Sequence, residues 1–231
     1  MTSEKPEFFG KEHAAHYDKS SQGLSALKDA LHLIAKTSLI DLPDESDILC
    51  VGAGTGAELI ALAQNNPGWR FTALDTSEAM LDVCKEKISK EGLVSRCNFH
   101  LGSIDTLMEE KKYDAATSIL VSQFLTNKAD RIAFFEKIRS HLKPCGYLIN
   151  ADLARPVEDH SYKPLMEHWF KMHRFNGMSE EQAKSSTALW DEFVSVLKPQ
   201  EVEALLMTGG FTNPLLVFQV FFIHAWVCQL P

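Results

Sequence analysis

Apolar residues follow two rhythms along the middle of this chain. Short apolar runs at 47–51, 69–75, 98–101, 113–121 and 147–153 have the length and continuity of strands buried on both faces. Between them, apolar residues recur three and four apart, as on one face of a helix. Helices are expected over 25–39 with Ser25 as N-cap, around Leu59, Ile60, Leu62 and Ala63, and over 77–91, 106–110 and 130–142. Lys143-Pro144-Cys145-Gly146 reads as a turn. From 154 the alternation stops. Leu165, Met166, Trp169, Phe170 and Met172 form one helical stripe, and Ala188, Leu189, Phe193, Val194 and Leu197 form a second within a helix over 181–198. A helix over 199–208 and two strands, 215–222 and 224–229, close the chain as an antiparallel pair. Strands alternating with helices predict an α/β fold. The expected architecture is a Rossmann-like seven-stranded, mostly parallel sheet with helices on both faces and a C-terminal antiparallel hairpin. The length of 231 residues suits one domain (1–231), with an N-terminal helical leader at 13–40 and a helical insertion at 156–198.

The formal net charge of −8 argues against broad binding of nucleic acid. Five cysteines without a CxxC pair read as reduced thiols and point to the cytoplasm. No signal-peptide core opens the chain, and no apolar run reaches the length of a membrane span. His13 and His16 lack further ligands at metal spacing, so no metal site is expected.

The chemistry concentrates at 48–75. The first strand ends in Gly52-Ala53-Gly54-Thr55-Gly56, a helix follows, and the next strand ends in Asp75. Glycines let backbone N–H groups come close to a ligand, a helix start adds unpaired donors, and an acid at the second strand's tip can accept from a ribose diol. A nucleoside-bearing ligand is expected. Gly52, Gly54 and Ala57 also satisfy the permissive dinucleotide pattern, so an NAD-dependent oxidoreductase is an alternative.

Gly-Ala-Gly-Thr-Gly, followed by Asp75-Thr76-Ser77 and Met80-Leu81, resembles the class I S-adenosylmethionine-dependent methyltransferases over roughly 45–231. Lys-Pro-x-Gly before the fifth strand and the closing hairpin agree with that family. The resemblance implies S-adenosylmethionine as cofactor and S-adenosylhomocysteine as product. The loop (Gly52, Ala53, Gly54, Gly56) then wraps the methionine part, and Asp75 holds the ribose. Thr76, Met80, Gly102, Ser103 and Ile104 pass the adenine, with Ser103 where an acid is common, and Ile119 ends the fourth strand beside the ligand. Tyr17, of the Tyr17-Asp18 pair, closes over the cofactor. Ser122-Gln123-Phe124-Leu125, Trp169 to His173 and Gly177-Met178-Ser179-Glu180 resemble more narrowly the carboxy-S-adenosylmethionine synthase branch, which serves tRNA wobble-uridine modification. That branch needs an arginine in the inserted helix, whereas no arginine follows Arg174 here. The nearby Lys184 lacks the planar fork of a guanidinium.

Methyl transfer needs alignment and, for an O–H or N–H acceptor, a base. Asp18, His160, Tyr162, His168 and His173 are candidates, and no spacing singles one out as catalytic. The aromatic insertion (Tyr162, Met166, Trp169, Phe170, Met172, Phe175, Trp190) implies a small, partly apolar acceptor beneath it and a homodimer surface. Its few lysines and arginines, matched by acids, disfavour tRNA as partner and give no sign of a membrane.

Overall fold

A computed structural model of the chain describes residue 10 and residues 24–108, 110–188 and 193–231. The expectations placed on Tyr17, Asp18, the two leader histidines, Leu189 and Trp190 lie outside them. Helix α1 (Ser25–Ser38) leads into β1 (Asp47–Val51), α2 (Ala57–Asn65), β2 (Arg70–Asp75), α3 (Glu78–Lys90), β3 (Cys97–Leu101) and β4 (Tyr113–Ile119). Helix α4 (Lys128–His141), β5 (Leu142–Leu153), α5 (Tyr162–Phe175), α6 (Glu180–Ala188), α7 (Pro199–Thr208), β6 (Thr212–Val220) and β7 (Ile223–Gln229) follow. The strands form one seven-stranded sheet in the order β3-β2-β1-β4-β5-β7-β6. Strands β1 to β5 run parallel, and β7 lies antiparallel to both β5 and β6. This is the expected Rossmann-like architecture with its closing hairpin.

Strand periodicity explains the two layers of helices. Side chains along β1 alternate between faces. Ile48 and Cys50 pack with Leu59, Leu62, Leu81 and Ile88 of α2 and α3. Leu49 and Val51 pack with Phe135 and Ile138 of α4 and Val202 and Leu206 of α7. A third cluster covers the carboxyl ends of β5 and the start of β7. There α1 (Leu31) and α5 (Trp169) meet Ala151, Leu153, Phe222, Ile223 and Ala225. No helix among the described residues is long and apolar enough to cross a membrane.

Several local expectations are corrected. Ser25 is the first helical residue rather than the cap, since Leu24 precedes the helix. Where a helix over 106–110 is expected, the described residues 107, 108 and 110 are not helical, and a single 3-10 turn spans Ile104–Thr106, anchored by the Thr106 hydroxyl on the Ser103 carbonyl. Strand β4 stops at Ile119, because Leu120 turns left-handed at φ 59° and sends its N–H to the Ala151 carbonyl. Helix α4 ends at His141, so 143–146 belong to β5. A register shift opposite Tyr113–Ala115 absorbs that Pro-Cys-Gly segment within the ladder. The second insertion helix spans Glu180–Ala188, and residues 194–196 are not helical. Leu197 bridges to Ala154 instead, and Arg155 donates to its carbonyl at 2.9 Å. Strand β6 begins at Thr212, and the hairpin turns at Phe221-Phe222 with Phe221 at φ 52°.

Candidate functional site

The parallel pairing of β1 with β2 fixes the centre of the site. Val51 lies opposite Leu74, so the chain leaving β1 passes beside the end of β2. Gly52 and Ala53 both donate to the Leu74 carbonyl, at 2.8 and 2.9 Å. The Gly54 N–H donates to Asp75 Oδ2 at 2.8 Å, and the Gly56 N–H to the Ala53 carbonyl at 2.9 Å. The sequence reading expects these donors to meet a ligand. The structure corrects it, because four of the loop's N–H groups already have partners in the protein. Two glycines are needed sterically. Gly52 has φ +68°, and a Cβ there would collide with the Val121 side chain. Gly56 has φ +80°, and a Cβ would lie 2.6 Å from Cys84 Sγ.

Asp75 is buried, at 9% exposure, rather than open in a crevice. Its Oδ1 accepts from the Ser77 N–H at 2.9 Å. Burial raises its pKa, and the backbone N–H groups of Ser77, Gly54 and Thr76 oppose that rise. A carboxylate has about four lone-pair sites, so Asp75 keeps acceptor capacity toward the cleft that it lines.

That cleft holds about 510 Å³ at the carboxyl ends of β1, β2 and β4, the size of a small-molecule site. It brings together Gly52, Gly54, Asp75, Thr76, Met80, Ser103, Ile104 and Ile119 of the residues expected from sequence. Ala53, Gly56 and Gly102 support the loops from behind and are not on its wall. Val51, Leu74, Asp105, Leu120, Val121, Phe124, Leu125, Asp130, Ala133 and Phe134 complete it. Sequence reading named none of these as site residues. The available signal was position, since Leu120 to Leu125 follow the carboxyl end of a parallel strand, where such sheets place their ligands. Asp130, Ala133 and Phe134 arrive from the first turns of α4, which no local pattern reveals.

A buried polar network fixes the turn after β4. The Arg131 guanidinium lies 2.7 Å from Asp152 Oδ2, and both side chains are fully buried. Arg131 Nε donates to Ser122 Oγ at 3.0 Å, Ser122 Oγ donates to the Asp152 carboxylate, and Asn150 Nδ2 donates to Asp152 at 2.8 Å. Arg131 also donates to the Ser195 carbonyl at 3.2 Å, and the Ser195 N–H donates to the Gln123 carbonyl. The end of the insertion is thereby tied to the lip that carries Val121, Phe124 and Leu125.

None of the described candidate bases lines the cleft. His173 packs edge-on to Trp169, and burial lowers its pKa. His168 Nδ1 bonds the Pro164 carbonyl, Tyr162 packs edge-on to Phe222, and His160 sits in an exposed turn. The insertion touches the cleft indirectly, because Ile119 and Leu120 belong both to its wall and to the cluster around Trp169.

Beneath the loop, half-buried Glu58 turns its carboxyl inward to accept from the Thr117 hydroxyl and to meet Cys50. Burial raises its pKa to about 7 against the hydrogen bonds from Thr117 and Cys50. The folded protein therefore keeps a proton that the unfolded chain releases near pH 4.5. Stability should fall as pH rises through this window and level off above it. Glu58→Gln should flatten that slope and gain on the order of 2 kcal/mol at pH 8 relative to wild type. Urea unfolding at pH 5 and pH 8 checks this, and parallel pH slopes would contradict it.

Residues 48–146 match the sequence family described as Methyltransferase domain. Over that segment the chain is similar to class I S-adenosylmethionine-dependent methyltransferase domains, and its sheet shares their Rossmann-like fold. Among individual proteins, a carboxy-S-adenosyl-L-methionine synthase of Vibrio atlanticus is 26% identical over 214 residues, which cover 88% of this chain and 83% of that protein. A malonyl-[acyl-carrier protein] O-methyltransferase of Priestia megaterium is 29% identical over 137 residues, covering 59% of this chain and 47% of that protein. The chain spans only 19–56% of the length of several other curated relatives. The solved structure of the pyocyanin biosynthetic protein PhzM superposes with a TM-score of 0.64 at 18% identity, over 90% of this chain and 56% of that one, and shares the fold.

Proposed function

We propose that the chain is an S-adenosylmethionine-dependent methyltransferase acting on a small, partly apolar acceptor. The inward-turned loop carries this reading. A dinucleotide is held through its diphosphate by free loop N–H groups, and here Gly52, Ala53, Gly54 and Gly56 have spent theirs on protein acceptors. What faces the cleft is the Asp75 carboxylate, which suits a ligand that donates hydrogen bonds. In this reading Asp75 holds the ribose hydroxyls, and Gly52 and Gly54 border the methionine part. Thr76, Met80, Ser103 and Ile104 flank the adenine, and Ile119 faces the reacting end.

When bound, the sulfonium supplies an electrophilic methyl, and the electron pair of the broken C–S bond stays on sulfur. The chain's own contribution is alignment and exclusion of water. Leu120, Val121, Phe124, Leu125 and Phe134 form a wall suited to an apolar or aromatic acceptor, in keeping with the demethylmenaquinone and pyocyanin named for some relatives and neighbours. The same proposal places the protein in the cytoplasm, where its five unpaired cysteines would stay reduced. It also includes a homodimer formed through exposed apolar residues such as Phe175 on α5 and Leu215 on β6, which sedimentation would detect.

Titration calorimetry should show S-adenosylmethionine and S-adenosylhomocysteine binding with dissociation constants on the order of micromolar and NAD far more weakly. Asp75→Ala should weaken both adenosyl ligands by about 1–3 kcal/mol, with some loss of stability because Gly54 and Ser77 lose their acceptor. Tight NAD binding without a response to S-adenosylhomocysteine would overturn the assignment. Mass analysis of copurified small molecules is the direct route to the acceptor.

A further inference from the structure

We propose that the cleft selects its adenosyl ligand by charge, taking the sulfonium with a plain methyl and rejecting one that carries a carboxylate on its transferable carbon. This rests on the methyltransferase reading above. Every charged side chain on the wall of the cleft, among the described residues, is a carboxylate: Asp75, Asp105 and Asp130. Among the described residues, cations behind the cleft and in the insertion are engaged elsewhere. Arg131 is fully buried behind the lip against Asp152. Lys87 donates to Thr55 on the far side of the glycine loop. In the insertion, Arg174 and Lys184 both reach the same exposed carboxylate, Glu180, at 3.9 and 2.7 Å.

A pocket with low-dielectric walls strengthens interactions among the charges inside it. A sulfonium gains from three carboxylates. A carboxylate on the adjacent carbon cancels that gain and meets repulsion without a cationic partner among the described residues of the wall. The neutral thioether product gains nothing, so the same charges favour its release.

Calorimetry with S-adenosylmethionine, S-adenosylhomocysteine and carboxy-S-adenosylmethionine tests this at low and high salt. The carboxylated ligand should bind about thirtyfold more weakly than S-adenosylmethionine, and the thioether about threefold more weakly. Both gaps should narrow in Asp105→Asn/Asp130→Asn and with added salt. Equal or tighter binding of the carboxylated ligand overturns the proposal. So does weak binding that neither salt nor the double variant relieves, since the exclusion would then be steric. If none of the three ligands binds, the methyltransferase reading itself fails, which is a separate result.

Discussion

Arg131→Ala is expected to lower the unfolding free energy by about 3–5 kcal/mol, because it strands a buried carboxylate. Asp152 is fully buried and would keep the Ser122 hydroxyl and the Asn150 amide as donors but lose the guanidinium that pairs with it. Both partners are removed from water, so the charge cannot be rescued by hydration. Asp152→Asn on its own leaves the guanidinium unpaired and should cost a similar amount. The double variant Arg131→Ala/Asp152→Asn should cost clearly less than the sum of the single changes, since neither charge then remains. Urea unfolding of the four proteins reads this directly. Additive losses would show that the two groups act independently. The change should also reach the cleft: Ser122 and Gln123 lose a tether next to Val121 and Phe124, so the Arg131 variant should bind S-adenosylhomocysteine more weakly even where it is fully folded.

Trp169→Ala is expected to cost about 3–5 kcal/mol through a different mechanism, a cavity in a packed cluster. The indole is 4% exposed and meets Phe221, Phe222 and His173 edge-on, with ring centroids 6.1, 5.7 and 4.8 Å away. Its neighbours come from the sheet and from α5, two elements that cannot move together to fill the space. No residue of α5 lines the cleft, so S-adenosylhomocysteine affinity should stay within about tenfold of wild type. Turnover should respond more, because Ile119 and Leu120 form both the edge of this cluster and the wall of the cleft. Thermal unfolding alongside calorimetry separates the two effects. A loss below about 1 kcal/mol would mean that the cluster collapses around the gap.

Sequence alone determined the sheet, because its evidence is local and repeated. A strand buried on both faces must be apolar throughout, and a helix on that sheet must be apolar on one side, so β1 to β5 and their crossover helices show in the spacing of Ile, Leu, Val and Ala. Gly52, Gly54 and Gly56 likewise announce a tight turn, and Asp75 its partner strand's tip. Boundaries set by contacts far apart in the chain were not legible. Leu142 to Gly146 extend β5 because β4 offers a ladder to them, and residues 194–197 leave the helical pattern because Gln123 and Ala154 capture their backbone. The same reason governs the site. Which way the loop's N–H groups point depends on the Leu74 carbonyl and the Asp75 carboxylate, more than twenty residues away. Whether Asp130 and Phe134 join Asp75 at one cleft depends on where α4 docks. Hydrophobic periodicity records which side of an element is buried, but only the packed structure decides what that side is buried against.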